Sequence, residues 1–125
     1  DSLQPHYNLI HRDEFERDLY AVCKTYEIAV IPYSPLAGGF LTGKYRRKES
    51  LPNSKRAEGR KRAMIDKNFA LIDKMEVIAL RYKATISQIA LAWMLADPVI
   101  TSPIIGATSI EQLNENLGAL NVKLA

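Results

Sequence analysis

The sequence predicts an α/β fold built around a parallel sheet. Two short apolar runs, residues 28–32 and 99–105, are rich in β-branched side chains and show no polar alternation. Runs of that length and composition are typical of strands that are buried on both faces. Segments with helical spacing of apolar residues lie before, between and after these runs, and alternation of strands with helices favours a parallel sheet.

Composition and length limit the classes of protein to which the chain can belong. The 125 residues amount to one domain, and 47% hydrophobic with 25% charged residues is the globular average, which excludes disordered and collagen-like chains. No apolar run is long enough to span a membrane. A single cysteine excludes an intrachain disulfide and is typical of a reducing compartment, so we expect a cytoplasmic protein. Because the chain begins with Asp1 rather than methionine, we expect it to belong to a longer protein.

The N-terminal quarter predicts a short extended segment followed by a helix. Residues 3–8 read as extended, and Pro5 argues against a long central strand. Asp13 and Glu16 match a capping box, which predicts a helix to about Tyr26. Cys23 lies on the apolar stripe of this helix, so we expect a buried, unreactive thiol.

Three further helices are predicted after the first strand. Residues 66–83 have helical spacing, and a capping box of Thr85 with Gln88 opens a helix from residue 86 to about 96 that is apolar almost all round and should be buried. Asp97-Pro98 ends it. Ser109 and Gln112 form a third capping box, which opens a helix through Leu117.

Residues 44–62 carry most of the positive charge. Nine of the 17 basic residues lie there against two glutamates, a local net charge of +7. Such a patch could bind an anion, a nucleic acid or a membrane surface, or it could be a solvated surface loop. A nucleic-acid interface is disfavoured, because no aromatic residues are interleaved with the charges and no helical basic face accompanies them. We therefore expect neither a nucleic-acid nor a membrane partner.

Two loops could bind a phosphorylated ligand. In the first, Gly106-Ala107-Thr108-Ser109 joins a predicted strand to a helix, and the N–H groups and dipole at a helix start favour phosphate. The alternative is an ordinary capped turn. The second loop follows Pro32 and contains Gly38, Gly39 and Gly43, whose spacing matches neither a Walker motif nor G-x-G-x-x-G. Tyr33 in this loop could stack on a flat ring, or it could simply be packed.

The sequence offers no metal site and no catalytic triad. His6 and His11 lie five residues apart and lack convergent cysteine or carboxylate spacing. Neither histidine has a readable partner for nucleophilic catalysis, and His11 is better placed in a turn.

Three stretches resemble the aldo-keto reductases. They are Gln4-Pro5-His6-Tyr7-Asn8-Leu9, the run from Pro32 to Tyr45, and the run from Pro103 to Asn116. Their order and spacing match over essentially the whole chain, and the similarity is greatest to bacterial reductases related to potassium-channel β subunits. The resemblance implies an oxidoreductase that reduces aldehydes or ketones to alcohols by hydride transfer from NADP(H). It also implies a (β/α)8 barrel, of which residues 1–125 are a single C-terminal segment with strands six to eight, and a basic loop over residues 45–65 that covers the cofactor.

The resemblance assigns cofactor contacts to particular positions. Gln4 is similar to the side chain that hydrogen-bonds the nicotinamide carboxamide, and Tyr33 to the aromatic residue that stacks on the nicotinamide ring. The residues that resemble pyrophosphate and ribose contacts are Ser34, Leu36, Gly38 and Lys44, with Arg56 as a further loop contact. Gly106 and Thr108 resemble contacts to the 2′-phosphate. Gln112, Glu115 and Asn116 resemble adenosine contacts, although a capping role for Gln112 is an alternative.

The resemblance does not extend to the catalytic residues. The family's Asp, Tyr, Lys and His lie before strand five, and no segment of this chain matches them, so we expect the chain alone to be inactive. Three parallel strands also cannot close a barrel of ~250 residues. Open strand edges favour further pairing, so a non-catalytic nucleotide-binding or self-associating fragment is the alternative reading.

Overall fold

The computed structural model describes residues 1–45 and 65–125 of the chain. Apart from its first and last residues, the basic loop predicted over residues 45–65 lies outside the described residues, and so does Arg56. Within the described ranges, no helix combines the length and apolarity needed to cross a membrane.

Two parallel strands meet at the centre of the described structure. Strand β1 (Ser2–Leu3) pairs with β2 (Ala29–Val30), Ser2 opposite Ala29 and Leu3 opposite Val30. A parallel bridge between His6 and Tyr33 continues the pairing with the same offset beyond both strands. The strand predicted over residues 28–32 is shorter in the structure. Pro32 has no N–H, so it cannot donate a hydrogen bond to a neighbouring strand.

Residues 99–105, predicted as a second buried strand, lie beside β2 but are not a regular strand, and of these residues only Ile100 is buried. Ile100 forms a parallel bridge with Val30, and the Ile104 N–H donates to the Pro32 carbonyl over 2.9 Å. The Val30 N–H donates to the Thr101 hydroxyl, Oγ1, at 3.1 Å instead of a backbone carbonyl, and Pro103 has no N–H. Backbone bonds from the Thr101 and Ile104 N–H groups to β2 and Pro32 remain, but a side chain and a proline interrupt the ladder that the sequence pattern predicts.

Burial alternates along both strands and the residues that follow them. One face of the sheet carries the buried side chains, and the other carries more exposed ones, so the predicted burial on both faces is found on one face only. The buried positions after β1 and in or after β2 are Pro5, Tyr7, Val30 and Pro32. The opposite face carries Gln4, His6, Ile31 and Tyr33.

The first helical segment runs over residues 13–25. It consists of a π-helical stretch, Phe15–Leu19, followed by helix α1, Tyr20–Thr25. The predicted capping box of Asp13 with Glu16 is wrong, since Asp13 already lies within the helix and the Glu16 N–H donates to the Arg12 carbonyl at 2.9 Å. The Glu16 carboxylate instead accepts hydrogen bonds from Tyr7 and Arg12. Cys23 is buried, as predicted.

Helices α2 (Asp66–Tyr82) and α3 (Ile86–Leu95) confirm the sequence prediction closely. Lys83, at φ 53°, ends α2 in the left-handed region. The predicted capping box is present at α3, with the Gln88 N–H donating to the Thr85 hydroxyl and the Thr85 N–H donating to the Gln88 side-chain oxygen. Helix α3 is buried almost all round and contributes to both apolar clusters.

One apolar cluster fills the space between α2, α3 and the segment 37–42, and the other lies under the sheet. Phe40, Leu41 and Ile72 are the most buried large residues of the first. The second contains Tyr7, Phe15, Cys23, Val30, Met94 and Ile100. Because α3 supplies Ile89 to the first cluster and Met94 to the second, it fixes the sheet relative to α2.

Helix α4 (Ile110–Leu117) and a 3-10 turn, Gly118–Asn121, pack against the start of α3. The Gln88 side-chain N–H donates to the Glu115 carbonyl over 2.8 Å. A Cβ at Gly118 would overlap that same Gln88 amide. A side chain at Gly118 would therefore displace the Gln88 amide from its hydrogen bond with the Glu115 carbonyl.

A polar network ties the end of the β1 segment to the first helix. Tyr7 donates its hydroxyl proton to Glu16 over 2.6 Å, and the Arg12 guanidinium donates twice to the Glu16 carboxylate, at 2.8 and 3.2 Å. The Arg12 hydrogen bonds lower the pKa of Glu16, and the Tyr7 hydrogen bond adds to the effect against the opposing cost of burial. Burial, followed by the hydrogen bond to Glu16, raises the pKa of Tyr7.

This network predicts a contribution to acid stability. A carboxyl whose pKa is lowered on folding stabilises the protein above its ordinary pKa of 4.5, and that stabilisation is lost as the pH falls through the lowered value. We expect the free energy of unfolding to fall less between about pH 5 and pH 3 for Glu16→Gln than for the wild type. Urea unfolding at a series of pH values measures it, with Glu27→Gln, the same change at an exposed glutamate, as the control. Equal slopes for Glu16→Gln and the wild type would contradict the assignment.

Candidate functional site

A cleft of about 840 Å³ opens between the loop after β2 and the segment that leads into α4. Its volume falls within the range of small-molecule sites, about 300–1,000 Å³. Nine of the residues predicted to contact the cofactor line it, coming from two stretches of the chain, residues 34–44 and 106–116. They are Ser34, Leu36, Gly38, Lys44, Gly106, Thr108, Gln112, Glu115 and Asn116.

The loop after β2 forms the first wall through an unusual backbone path. Ser34 and Ala37 have φ of 55° and 52°, and Gly38 and Gly39 follow at 66° and 100°. These left-handed residues turn the chain sharply, and the N–H groups of Ala37 and Gly39 donate to the Ser34 and Leu36 carbonyls within the loop. The 3-10 segment Ala37–Thr42 completes this turn.

Lys44 brings a positive charge to this wall. A Cβ built on Gly39 would come within 3.1 Å of the Lys44 Cε, so the lysine stem passes over the glycine. Its Nζ lies 5.4 Å from the centre of the Tyr45 ring, within cation–π range. The loop therefore needs a glycine at position 39 for its conformation and for the lysine's path.

The turn into α4 forms the second wall. The Ser109 hydroxyl accepts from the Gln112 N–H at 3.1 Å, as the predicted cap requires. The Gln112 side-chain oxygen, however, accepts from the Thr108 N–H at 2.8 Å and the Thr108 hydroxyl at 2.9 Å. The second hydrogen bond of the predicted capping box is therefore made by the Thr108 N–H and not by the Ser109 N–H. Thr108 and Gln112, both predicted ligand contacts, are bonded to each other.

Gly106 exposes bare backbone to the cleft. A Cβ added there would meet nothing within 4 Å, and its φ is not in the left-handed region. The position therefore has no conformational need for glycine, and the space beside it is open for a ligand. This is the arrangement expected where a phosphate approaches the main chain before a helix start.

Charge in the cleft is mixed. Among the described lining residues, Lys44 is positive and Glu115 negative. The positive end of the α4 dipole adds to the attraction for an anion. Because Thr108 is neutral, the second wall offers hydrogen-bonding groups rather than a full positive charge.

Tyr33 and Gln4, the two predicted nicotinamide contacts, lie outside the lining of the cleft. Both are exposed on the open face of the sheet, Tyr33 by 43%. Tyr33 directly precedes Ser34, which lines the cleft, so the open face of the sheet adjoins one end of the cleft. Within residues 1–45 and 65–125, no three His, Cys, Asp or Glu residues form a group that could hold a metal ion.

Comparison with known proteins agrees with this architecture. The aldo/keto reductase family profile matches residues 1–125, the whole chain. The chain belongs to the aldo/keto reductase family. It spans only about a third of the length of the curated relatives that it matches, between 31% and 38% in the three described next.

Three relatives of this aldo/keto reductase chain illustrate the range of the family. A probable voltage-gated potassium channel subunit beta of Oryza sativa subsp. japonica is 35% identical over 95% of the chain and 38% of its own length. The aldo-keto reductase yakc [NADP(+)] of Schizosaccharomyces pombe is 37% identical over 82% of the chain and 31% of its own length. The NADH-specific methylglyoxal reductase of Escherichia coli is 35% identical over 100% of the chain and 38% of its own length.

A solved structure confirms the fold class. The glycerol dehydrogenase from Gluconobacter oxydans superposes on 99% of this chain with a TM-score of 0.83, at 23% identity and over 38% of its own length. That protein is an aldo/keto reductase barrel, so the chain has the fold of a portion of a (β/α)8 barrel. The described strands are parallel and do not close a barrel.

Asn8 is a site residue that the sequence analysis missed. It is buried, and its side-chain oxygen accepts from the N–H groups of Ile10 and His11, both at 2.9 Å. Its side-chain N–H donates to the Ser34 carbonyl at 2.9 Å. Asn8 therefore fixes the turn after β1 and ties it to the first residue of the cleft. The signal in the sequence was a short polar side chain able to close an Asx turn just after a strand.

His6 is the second residue whose place the sequence did not reveal. Its ring stacks on Tyr33, with ring centres 5.0 Å apart and planes at 14°, and on His11, with centres 4.0 Å apart and planes at 19°. Burial lowers the pKa of His6, the neighbouring His11 adds to this effect, and Glu14 opposes it. We therefore expect His6 to be neutral at neutral pH.

Asn8→Ala should destabilise the chain and loosen the cleft. Three hydrogen bonds disappear, and the Ser34 carbonyl loses its side-chain partner, so we expect a loss of about 1–3 kcal/mol in the free energy of unfolding. Urea denaturation measures this value. The exposed Asn121→Ala is the matched control and should change it by no more than about 0.5 kcal/mol. A loss no larger for Asn8→Ala than for the control would show that the link between the turn and Ser34 is energetically unimportant.

Proposed function

We propose that this chain is the NADP(H)-binding part of an aldo/keto reductase that reduces aldehydes or ketones to alcohols. The observation that carries the proposal is the convergence of nine predicted cofactor contacts on one cleft. Family membership supports the oxidoreductase class. Among the relatives, one is named for NADP(+) and another for NADH, so they do not choose between the two cofactors. NADP(H) is proposed here because Gly106 and Thr108 resemble contacts to the 2′-phosphate.

The residues present suit a phosphorylated dinucleotide. Lys44, which lines the cleft together with Gly38, would bind the pyrophosphate. The bare backbone at Gly106 would admit the phosphate of the adenosine half. Tyr33 would stack on the nicotinamide, and Gln4 would hydrogen-bond its carboxamide. When bound, the cofactor supplies the hydride for carbonyl reduction.

This chain's share of the reaction is positioning. Holding the nicotinamide against Tyr33 would restrict the ring to one orientation, which lowers the entropic cost of reaching the reactive geometry. Hydride transfer to a carbonyl also needs a proton donor at the developing alkoxide. We assign that donor, together with the rest of the catalytic Asp, Tyr, Lys and His set, to sequence outside residues 1–125.

Binding of NADPH tests the proposal directly. We expect NADPH to bind the chain, and Lys44→Gln to weaken binding about 3- to 10-fold because a phosphate loses a charged partner. Lys67→Gln, the same change on an exposed lysine of α2, should leave the affinity within about 2-fold of the wild type. Titration of NADPH fluorescence at two ionic strengths measures both, and the Lys44 effect should shrink as salt rises.

Gly106→Val adds a steric test that folding does not complicate. The Cβ of the new side chain would enter the open space of the cleft with no protein atom within 4 Å. We expect NADPH affinity to fall more than about 10-fold while the urea unfolding midpoint changes little. Unaltered affinity in both Lys44→Gln and Gly106→Val would remove the cleft as the cofactor site.

The alternative, a non-catalytic or self-associating fragment, is favoured by one observation. Apolar side chains on one face of α4 and the turn after it are exposed, namely Ile110, Leu113, Leu117 and Leu120. Exposed apolar surface of this kind favours association. The sheet also leaves strand edges that could pair with another chain.

Because the catalytic residues are assigned to sequence outside residues 1–125, the isolated chain should bind NADPH without oxidising it in the presence of an aldehyde. Absorbance of NADPH with a simple aldehyde measures turnover, and sedimentation at several protein concentrations measures association. Steady NADPH oxidation by the purified 125-residue chain would show that its own residues supply the acid. A monomer at all concentrations would argue against self-association.

A further inference from the structure

We propose that His6 is a positioning residue for the nicotinamide end of the site, acting by holding the Tyr33 ring in the orientation that stacks on the cofactor. The inference rests on the proposed function and adds to it a residue with no assigned role. It starts from the stack of three rings, His11, His6 and Tyr33, on the open face of the sheet.

The parallel register dictates the contact between His6 and Tyr33. The two residues are paired across the ends of neighbouring strands, so their side chains project from the same face at the spacing of adjacent strands. Their ring centres are 5.0 Å apart with planes only 14° from parallel. His6 thus lies beside one face of the tyrosine ring and restricts its rotation.

A second ring, that of His11, also packs against His6. The two rings are stacked, and the His11 Nε2 lies 2.9 Å from a Glu14 carboxylate oxygen. The Asn8 side chain bonds the His11 N–H and the Ser34 carbonyl, which fixes the backbone on both sides of the stack. Two loops and one buried amide therefore set the position of a ring that lies next to Tyr33.

Tyr33 retains a surface for a ligand. It is 43% exposed although His6 covers part of it, and the next residue along the chain lines the cleft. A ligand that follows the cleft towards the open face of the sheet would meet an aromatic ring already fixed in orientation. Fixing a side chain before binding reduces the ordering cost of association.

Three His6 and Tyr33 variants separate this role from others. We use His6→Gln, which removes the ring but keeps a polar side chain, His6→Phe, which keeps a flat ring, and Tyr33→Ala. The probes are NADPH, which contains the nicotinamide, and 2′,5′-ADP, which contains only the adenosine end. Calorimetry gives the affinity of both probes, and urea unfolding verifies that each variant is folded.

We expect His6→Gln to weaken NADPH binding about 3- to 10-fold and to leave 2′,5′-ADP within about 2-fold of the wild type. His6→Phe should restore the NADPH affinity to within about 2-fold. In the Tyr33→Ala background, His6→Gln should have no further effect, because the histidine acts through the tyrosine.

Distinct results would overturn the inference or the proposed function. If the wild type bound neither probe, the proposed function would fail and this inference with it. If the wild type bound both but His6→Gln left NADPH binding unchanged, weakened both probes equally, or remained harmful in the Tyr33→Ala background, only the positioning role would fail. Failure of His6→Phe to restore binding would show that the ring contact is not what matters.

Discussion

The pairing register of β1 with β2 is the constraint on which the site depends. With Leu3 opposite Val30 and His6 opposite Tyr33, both strands end at the same edge, and the third extended segment joins them through Ile100. A slip of one residue would exchange the two faces of a strand. Tyr33 would then turn towards the buried side and Val30 towards the open one, so a single register sets both the core and the candidate site.

Helix α3 connects the sheet to the cleft. Its buried residues connect the apolar cluster under the sheet to the cluster beneath the loop that forms the first wall. At its start, Gln88 caps the helix and holds the Glu115 carbonyl of α4, which forms the second wall. The close approach at Gly118 completes the contact. One apolar helix thereby fixes the distance between the walls, although of its residues only Ser87 lines the cleft.

The sequence predicted the helices better than the strands, for a physical reason. Capping residues such as Thr85 and Ser109 act through bonds within four residues, so their effect can be read locally. The strand over residues 99–105 depended on which groups of β2 face it, and there the Thr101 hydroxyl replaces a backbone partner. At the first helix, Glu16 formed a network with Tyr7 and Arg12 rather than the predicted box, because Tyr7 comes close only through tertiary structure. The contacts of Asn8 and the ring stack of His6 likewise depend on the strand register, which cannot be read from a single sequence.

The turn into α4 shows why a helix cap and a phosphate site can share residues. Capping satisfies the N–H groups at a helix start with side-chain oxygens, and a phosphate would satisfy the same groups with its own. Here Gln112 already occupies the Thr108 N–H and hydroxyl. A 2′-phosphate at Thr108 would have to displace the Gln112 oxygen and would gain no full positive charge from Thr108 in exchange, whereas the backbone at Gly106 offers open space without displacing anything. The energetic advantage of a 2′-phosphate over a free 2′-hydroxyl at this turn is therefore small.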